Sequence, residues 1–209
     1  TIVLSGAGTL GTGSLALNGG TLDATGGLVV GGGLSVGANS SLVVGTGNTF
    51  TVNGPFSGSG DLGLSGGGEL ILLGAGTYSG TVTVTNSRID LNSPTALGVG
   101  NLDLVDSYLL ASSNTTVSGT TTLTGSNTID TVNFTITLAG PVTDGIGGPG
   151  GFNKVGVGTL ELQSANNYTG GTTLTAGTVR LSGAGTFGPG AITFLGGEID
   201  ASGAPPVPN

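Results

Sequence analysis

Side chains able to do acid–base, nucleophilic or metal chemistry are scarce in this 209-residue chain. It has eleven Asp and Glu, three cations (Arg88, Lys154 and Arg180) and three Tyr, with no His, Cys, Met or Trp. A serine or threonine nucleophile needs an imidazole or an equivalent base to take its proton. Zinc centres built from His and Cys are excluded for the same reason. What remains is the paired-carboxylate chemistry of glycoside cleavage. Asp103 and Asp106 are three positions apart, and on a strand that spacing puts them on opposite faces. None of the three cations has an acid cluster beside it that would suit a lyase base. The residues predict no enzymatic activity, no cofactor and no metal.

Other motifs dissolve in the composition. Two GxGxxG strings, Gly6–Gly11 and Gly183–Gly188, lack the following helix whose N-terminus would hold a pyrophosphate. Gly58-Ser59-Gly60-Asp61-Leu62 is a lone partial match to a calcium-roll nonapeptide, which works only in tandem. Threonine rows at Thr81/Thr83/Thr85, Thr120/Thr122/Thr124 and Thr173/Thr175 would suit an ice-binding face if they sat on successive coils. They fall about two coils apart and read as outward partners of inward Val and Leu. Tyr78 and Tyr168 occupy equivalent places in a repeat, which points to packing rather than to sugar stacking.

Glycine supplies 46 of the 209 residues, only 7% are charged, and the net charge is -8. Gly costs about 1 kcal/mol per helical position relative to Ala, so no stretch can form a stable amphipathic helix. Gly lacks the strict three-residue period of collagen. The 36% hydrophobic content, rich in Leu, Val and Ile, is too high for disorder. Three scattered cations cannot neutralise a phosphate backbone or anionic lipid, so neither nucleic acid nor membrane insertion is expected. The longest aliphatic run, Leu70–Leu73, is far short of the roughly 20 residues that span a bilayer. The start at Thr1, without a signal segment, reads as a mature or trimmed piece of something longer.

Self-similarity organises the rest. Thr1–Gly11 returns as Thr178–Gly188, and the match runs on from Leu15/Leu17 to Ile192/Phe194 and from Leu22-Asp23-Ala24 to Ile199-Asp200-Ala201. Leu97–Leu104 repeats Leu10–Leu17, and Tyr78-Ser79-Gly80 returns as Tyr168-Thr169-Gly170. Two modules of about 90 residues follow, near 10–96 and 97–186, plus the start of a third. Within them, apolar-x-apolar pairs such as Leu28/Val30, Leu42/Val44, Leu62/Leu64 and Leu70/Leu72 put both members on one strand face. Glycine and Asn-Gly corners separate the pairs.

Strands this short cannot fill a sandwich. They suit coils of two or three strands that close after roughly 20–22 residues and stack about 4.8 Å apart. The expected fold is all-β: a right-handed parallel β-helix (β-solenoid) of about ten short coils over residues 1–204. Pro205-Pro206-Val207-Pro208 makes 205–209 a Pro-rich end or linker.

One segment carries a family resemblance. Gly150-Gly151-Phe152-Asn153-Lys154-Val155-Gly156-Val157-Gly158-Thr159-Leu160-Glu161-Leu162 resembles the opening of the autotransporter-associated β-strand repeat. Asn166–Leu181, with its NxYTGGTT and AGT-apolar-x-Leu pieces, resembles the remainder, and 61–92 is a degenerate copy without the lysine. The resemblance implies a passenger segment of a Gram-negative autotransporter. Such a segment would be exposed outside the cell at the outer membrane and would carry no catalytic residues. The expected role is a rigid stalk or adhesin segment. An alternative is an extracellular filament subunit, stacking end to end through the strand edges at Ile2, Leu4, Ile199 and Ala201. A further alternative is a carbohydrate-binding β-helix. The corresponding partners are a second copy, head to tail, or host or cell-surface glycans.

Overall fold

A computed structural model describes residues 1–24 and 26–203. Each apolar-x-apolar pair forms a short strand, because period-two spacing sends both apolar side chains inward while the residue between them meets water. A lone strand of this kind buries almost nothing. Pairing with the equivalent strand one coil later covers the apolar face and satisfies the backbone together, and all pairings among the strands are parallel. The described residues contain no helix. The fold is a parallel β-solenoid of about ten coils.

Three sides run along the rod. The first begins at Ile2–Val3 and climbs through Leu22, Leu42, Leu64, Val84 and Leu104 to Leu123, each residue one coil beyond the last. The second is a ten-strand ladder from Gly8–Thr9 to Ile192–Phe194, passing through Leu28, Phe50, Leu70, Ile89, Leu109, Ile129, Lys154 and Leu174. The third side starts as strands at Leu15, Leu34 and Phe56. It loosens into loops around Tyr78 and Leu97, and regains strand form from Thr115–Val117 to Glu198–Gly203. Thr77 N–H to Phe56 O (2.9 Å), Val99 N–H to Tyr78 O (3.0 Å) and Thr116 N–H to Pro94 O (3.0 Å) carry this side across the loops.

The core is one thin column of buried Leu, Val, Ile and Phe from all three sides. Where the third side loses its strands, aromatic rings fill the space: Phe56 and Tyr78 stack with centroids 4.2 Å apart. Tyr78 is fully buried and its hydroxyl donates to Gly60 O at 2.7 Å. Tyr168, also fully buried, packs against Phe152 and hydrogen-bonds Thr172. Both tyrosines are core residues. The coil lengthens between Ile129 and its register partner Lys154, and the extra length projects as the loop from Gly145 to Pro149.

The tight corner between the first and second sides needs left-handed backbone. Gly67 (φ 81), Asn86 (φ 45), Asp106 (φ 48) and Gly125 (φ 68) supply it in successive coils. Asn and Asp tolerate that region better than other side chains. Asp106 therefore belongs to a corner, and its separation from Asp103 comes from the turn rather than from strand alternation.

The long-range copies do not stack on themselves. Leu62 lies on the first side, while Phe152, its counterpart one module later, lies on the second. Leu70 lies on the second side and Leu160 on the third. Tyr78 sits on the third side, while Asn167 N–H to Val142 O (3.0 Å) places Tyr168 on the first. Counted side by side, each such offset spans 13 sides, or four coils and a third. Equivalent sequences thus reappear one side further round the rod.

Candidate functional site

Many outward polar groups are used between coils. Asp61 Oδ1 accepts from Thr81 N (2.9 Å), Asn101 Oδ1 from Thr120 N (2.9 Å) and Asn114 Oδ1 from Thr135 N (2.9 Å). Asp103 takes the Thr122 hydroxyl at 2.6 Å. Asp144 accepts from Gly150 N and from both the N–H and the hydroxyl of Thr169, and these bonds hold its carboxyl below its ordinary range. Side chains here do what backbone does elsewhere in the ladders: they tie one coil to the next.

A polar ladder also runs inside the corner between the first and second sides. Gly67 N–H donates to Ser87 Oγ (3.1 Å), Ser87 N–H to Ser107 Oγ (3.3 Å), and Ser107 N–H to Asn127 Oδ1 (2.9 Å). Asn127 Nδ2 then donates to Thr124 O and Gly151 O. Successive coils are joined where the turn removes backbone partners. The trace of this in the sequence is slight, a Ser or Asn at the same place after each corner.

Lys154 stands in the core column between Ile129 and Leu174 and is fully buried. Its Nζ donates to Val155 O (2.9 Å), Gly156 O (2.8 Å) and Ala176 O (3.1 Å), so all three protons are placed. Burial pushes its pKa down to about 8, against the pull of Asp130. A Cβ on Gly177 would come within 2.7 Å of the ammonium. The lysine, the glycines that follow it and the Ala-Gly pair of the repeat meet here as one clamp across two coils. With its amine saturated and sealed from solvent, Lys154 cannot act as a catalytic base.

The outer row of the second side has a different character. Arg88 Nε approaches Glu69 Oε1 at 2.7 Å, a charge contact without hydrogen-bond alignment. The guanidinium carbon lies 4.4 Å from the Tyr108 ring centroid, and Tyr108 Oη donates to Asp130 Oδ2 at 2.5 Å. Burial and the bond to Asp130 push the Tyr108 hydroxyl up to about 12. A groove of about 350 Å³ opens between this row and the corner residues Asn86, Asp106 and Ser126. Sequence reasoning missed it, because its parts lie a full coil apart along the chain and only coil closure aligns them.

Among the described residues, no group of three or more His, Cys, Asp or Glu could hold a metal ion. The four edge residues separate in space. Ile2 and Leu4 cap the first side, Ile2 strongly exposed and Leu4 half-buried, whereas Ile199 and Ala201 end the third side. Pro205–Pro208 lie outside the described residues.

A β-solenoid held together between coils, with no assembled catalytic group among the described residues, is the structure expected of a passenger segment, and comparison with known proteins agrees. Residues 57–86 and 152–181 match the passenger-associated-transport-repeat family. The chain is also 34% identical over 189 residues, 86% of its length, to the Adhesin BmaC autotransporter of Brucella suis biovar 1 (strain 1330). It spans 5% of that relative's length. No solved structure matches it. The chain carries two passenger-associated transport repeats and is homologous to part of an autotransporter passenger.

Proposed function

We propose that this segment is a rigid extracellular stalk within an autotransporter passenger, holding adhesive surfaces away from a Gram-negative outer membrane and catalysing nothing itself. The observation that carries this reading is the unbroken ten-strand ladder of the second side. At about 4.8 Å per coil it makes a rod about 48 Å long. Each rung is cross-linked to the next by backbone and side-chain bonds, so bending the rod would break several at once. The relative is an adhesin, which supports the adhesive context.

Small-angle X-ray scattering of the isolated chain tests the proposal. A monodisperse rod of that length is expected, and a compact sphere or a flexible coil would overturn the stalk. Trypsin gives a second test. Lys154 is sealed in the core and Arg88 is held by Glu69 and Tyr108, so native protein should resist cleavage at both.

A further inference from the structure

Many outward polar groups of this rod are engaged between coils. Those lining the groove between the first-to-second corner and the second side stand close together without such partners. Among the described residues, the Asn86 side-chain amide, both Nη groups of Arg88, Asp106 Oδ2 and the hydroxyls of Ser126 and Thr128 accept or donate no hydrogen bond within the protein. All line the same groove, with Tyr108 as its one aromatic wall. Asn86, Asp106 and Ser126 occupy one corner in three successive coils, opposite Arg88, Tyr108 and Thr128.

From this juxtaposition we propose that the groove is a binding site for a short, uncharged oligosaccharide lying parallel to the rod axis. Sugar hydroxyls both donate and accept. The groove offers the matching mixture: guanidinium donors, a carboxylate acceptor, an amide that does both, and two hydroxyls. Its one cation and one anion cancel, and Glu69 and Asp130 lie just beyond, so the field disfavours an acidic glycan. Asn86 to Ser126 spans two coil steps, about 10 Å at about 4.8 Å per step. That length and the volume of about 350 Å³ suit two or three sugar units. The backbone that carries these groups is already fixed by the ladders, so only side-chain rotamers are ordered on binding. The groove is open to water, which sets a weak single-site affinity, with Kd about 1 mM. Repeated sites on a longer passenger would raise the avidity.

The proposal goes beyond the stalk reading and can fail without it, since scattering reports the rod and ligand titration reports the groove. The test is NMR titration of the intact 209-residue chain with cellotriose, chitotriose and maltotriose, and with sialyllactose as the acidic comparison. A neutral trisaccharide is expected to shift the amides of Asn86 to Arg88, Asp106 to Tyr108 and Ser126 to Thr128, and sialyllactose to bind at least about fivefold more weakly. Asn86→Gly keeps the left-handed backbone while removing the amide, and Arg88→Gln removes the charge. Each should weaken binding about three- to tenfold with the spectrum elsewhere unchanged, whereas Thr173→Ala, far along the rod, should leave it as it was. Three results would overturn the site: no shift from any of these sugars at about 20 mM, well above the expected Kd, shifts centred elsewhere, or binding that survives both groove variants.

Discussion

Lys154 in the core column and Val132 at an exposed turn show what single residues cost and contribute. An ammonium buried among Ile129 and Leu174 is tolerable because three carbonyls receive its protons. Its folded pKa, about 8, lies below the ordinary 10.5. Between those values the unfolded chain binds more protons than the folded one, so stability should rise with pH across that window. The rise has an upper limit of about 3 kcal/mol. Urea denaturation at pH 7.5, 9 and 10.5 should show it, and Lys154→Met should flatten the profile. A slope of the opposite sign would mean that the carbonyls stabilise the charge more than burial penalises it. Val132 adopts φ 49, a region that β-branched residues avoid. Val132→Gly should raise stability by about 0.5–1 kcal/mol, the relief of left-handed strain less the added freedom of the unfolded chain. Loss of stability in thermal melts would show that the strain is absent.

At the scale of the elements, inward and outward positions of one strand should respond very differently to truncation. Leu104 is fully buried between Val84 and Leu123, and Leu104→Ala should cost about 2–5 kcal/mol. Thr83→Ala, on the outer face of the neighbouring strand, should stay within about 0.5 kcal/mol. The corner ladder is a separate mechanism. Asn127→Ala removes the acceptor of the Ser107 N–H and the donor to Gly151 O, and a cost of about 1–3 kcal/mol is expected from the buried groups left unpaired. Equilibrium denaturation measures all three. Equal losses at Leu104 and Thr83 would be incompatible with a one-sided core.

For the whole molecule, the advance of one side per module has a consequence for any longer array. Three modules would amount to 13 complete coils, about 62 Å at about 4.8 Å per coil. Equivalent repeats would face the same direction only at that interval. Electron cryo-microscopy of a longer stretch of such repeats should find this period, and like repeats aligned on one side of the rod would disprove it. The copy at 57–86 has no lysine clamp. Leu64, the counterpart of Lys154, sits on the first side, where the adjoining corner is tied through Ser87 Oγ instead.

How much of this was legible beforehand follows from which interactions are local. Period-two apolar pairs and glycine corners fix inward faces and turns within a few residues, so the all-β solenoid and its coil length could be read directly, as could the absence of helix-bound motifs. The Asn153-Lys154…Gly158-Thr159-Leu160 pattern likewise marked a passenger repeat. Long-range registry was hidden, because loops such as Gly145 to Pro149 vary in length and a module does not hold a whole number of coils. That registry decided which carbonyls receive the Lys154 ammonium, that Tyr78 and Tyr168 lie on different sides, and that Arg88, Tyr108 and Asp130 meet on one outer face. Sequence spacing sets which face of a strand a residue occupies. Only closure of the coils sets which residue, one full turn away along the chain, lies above it.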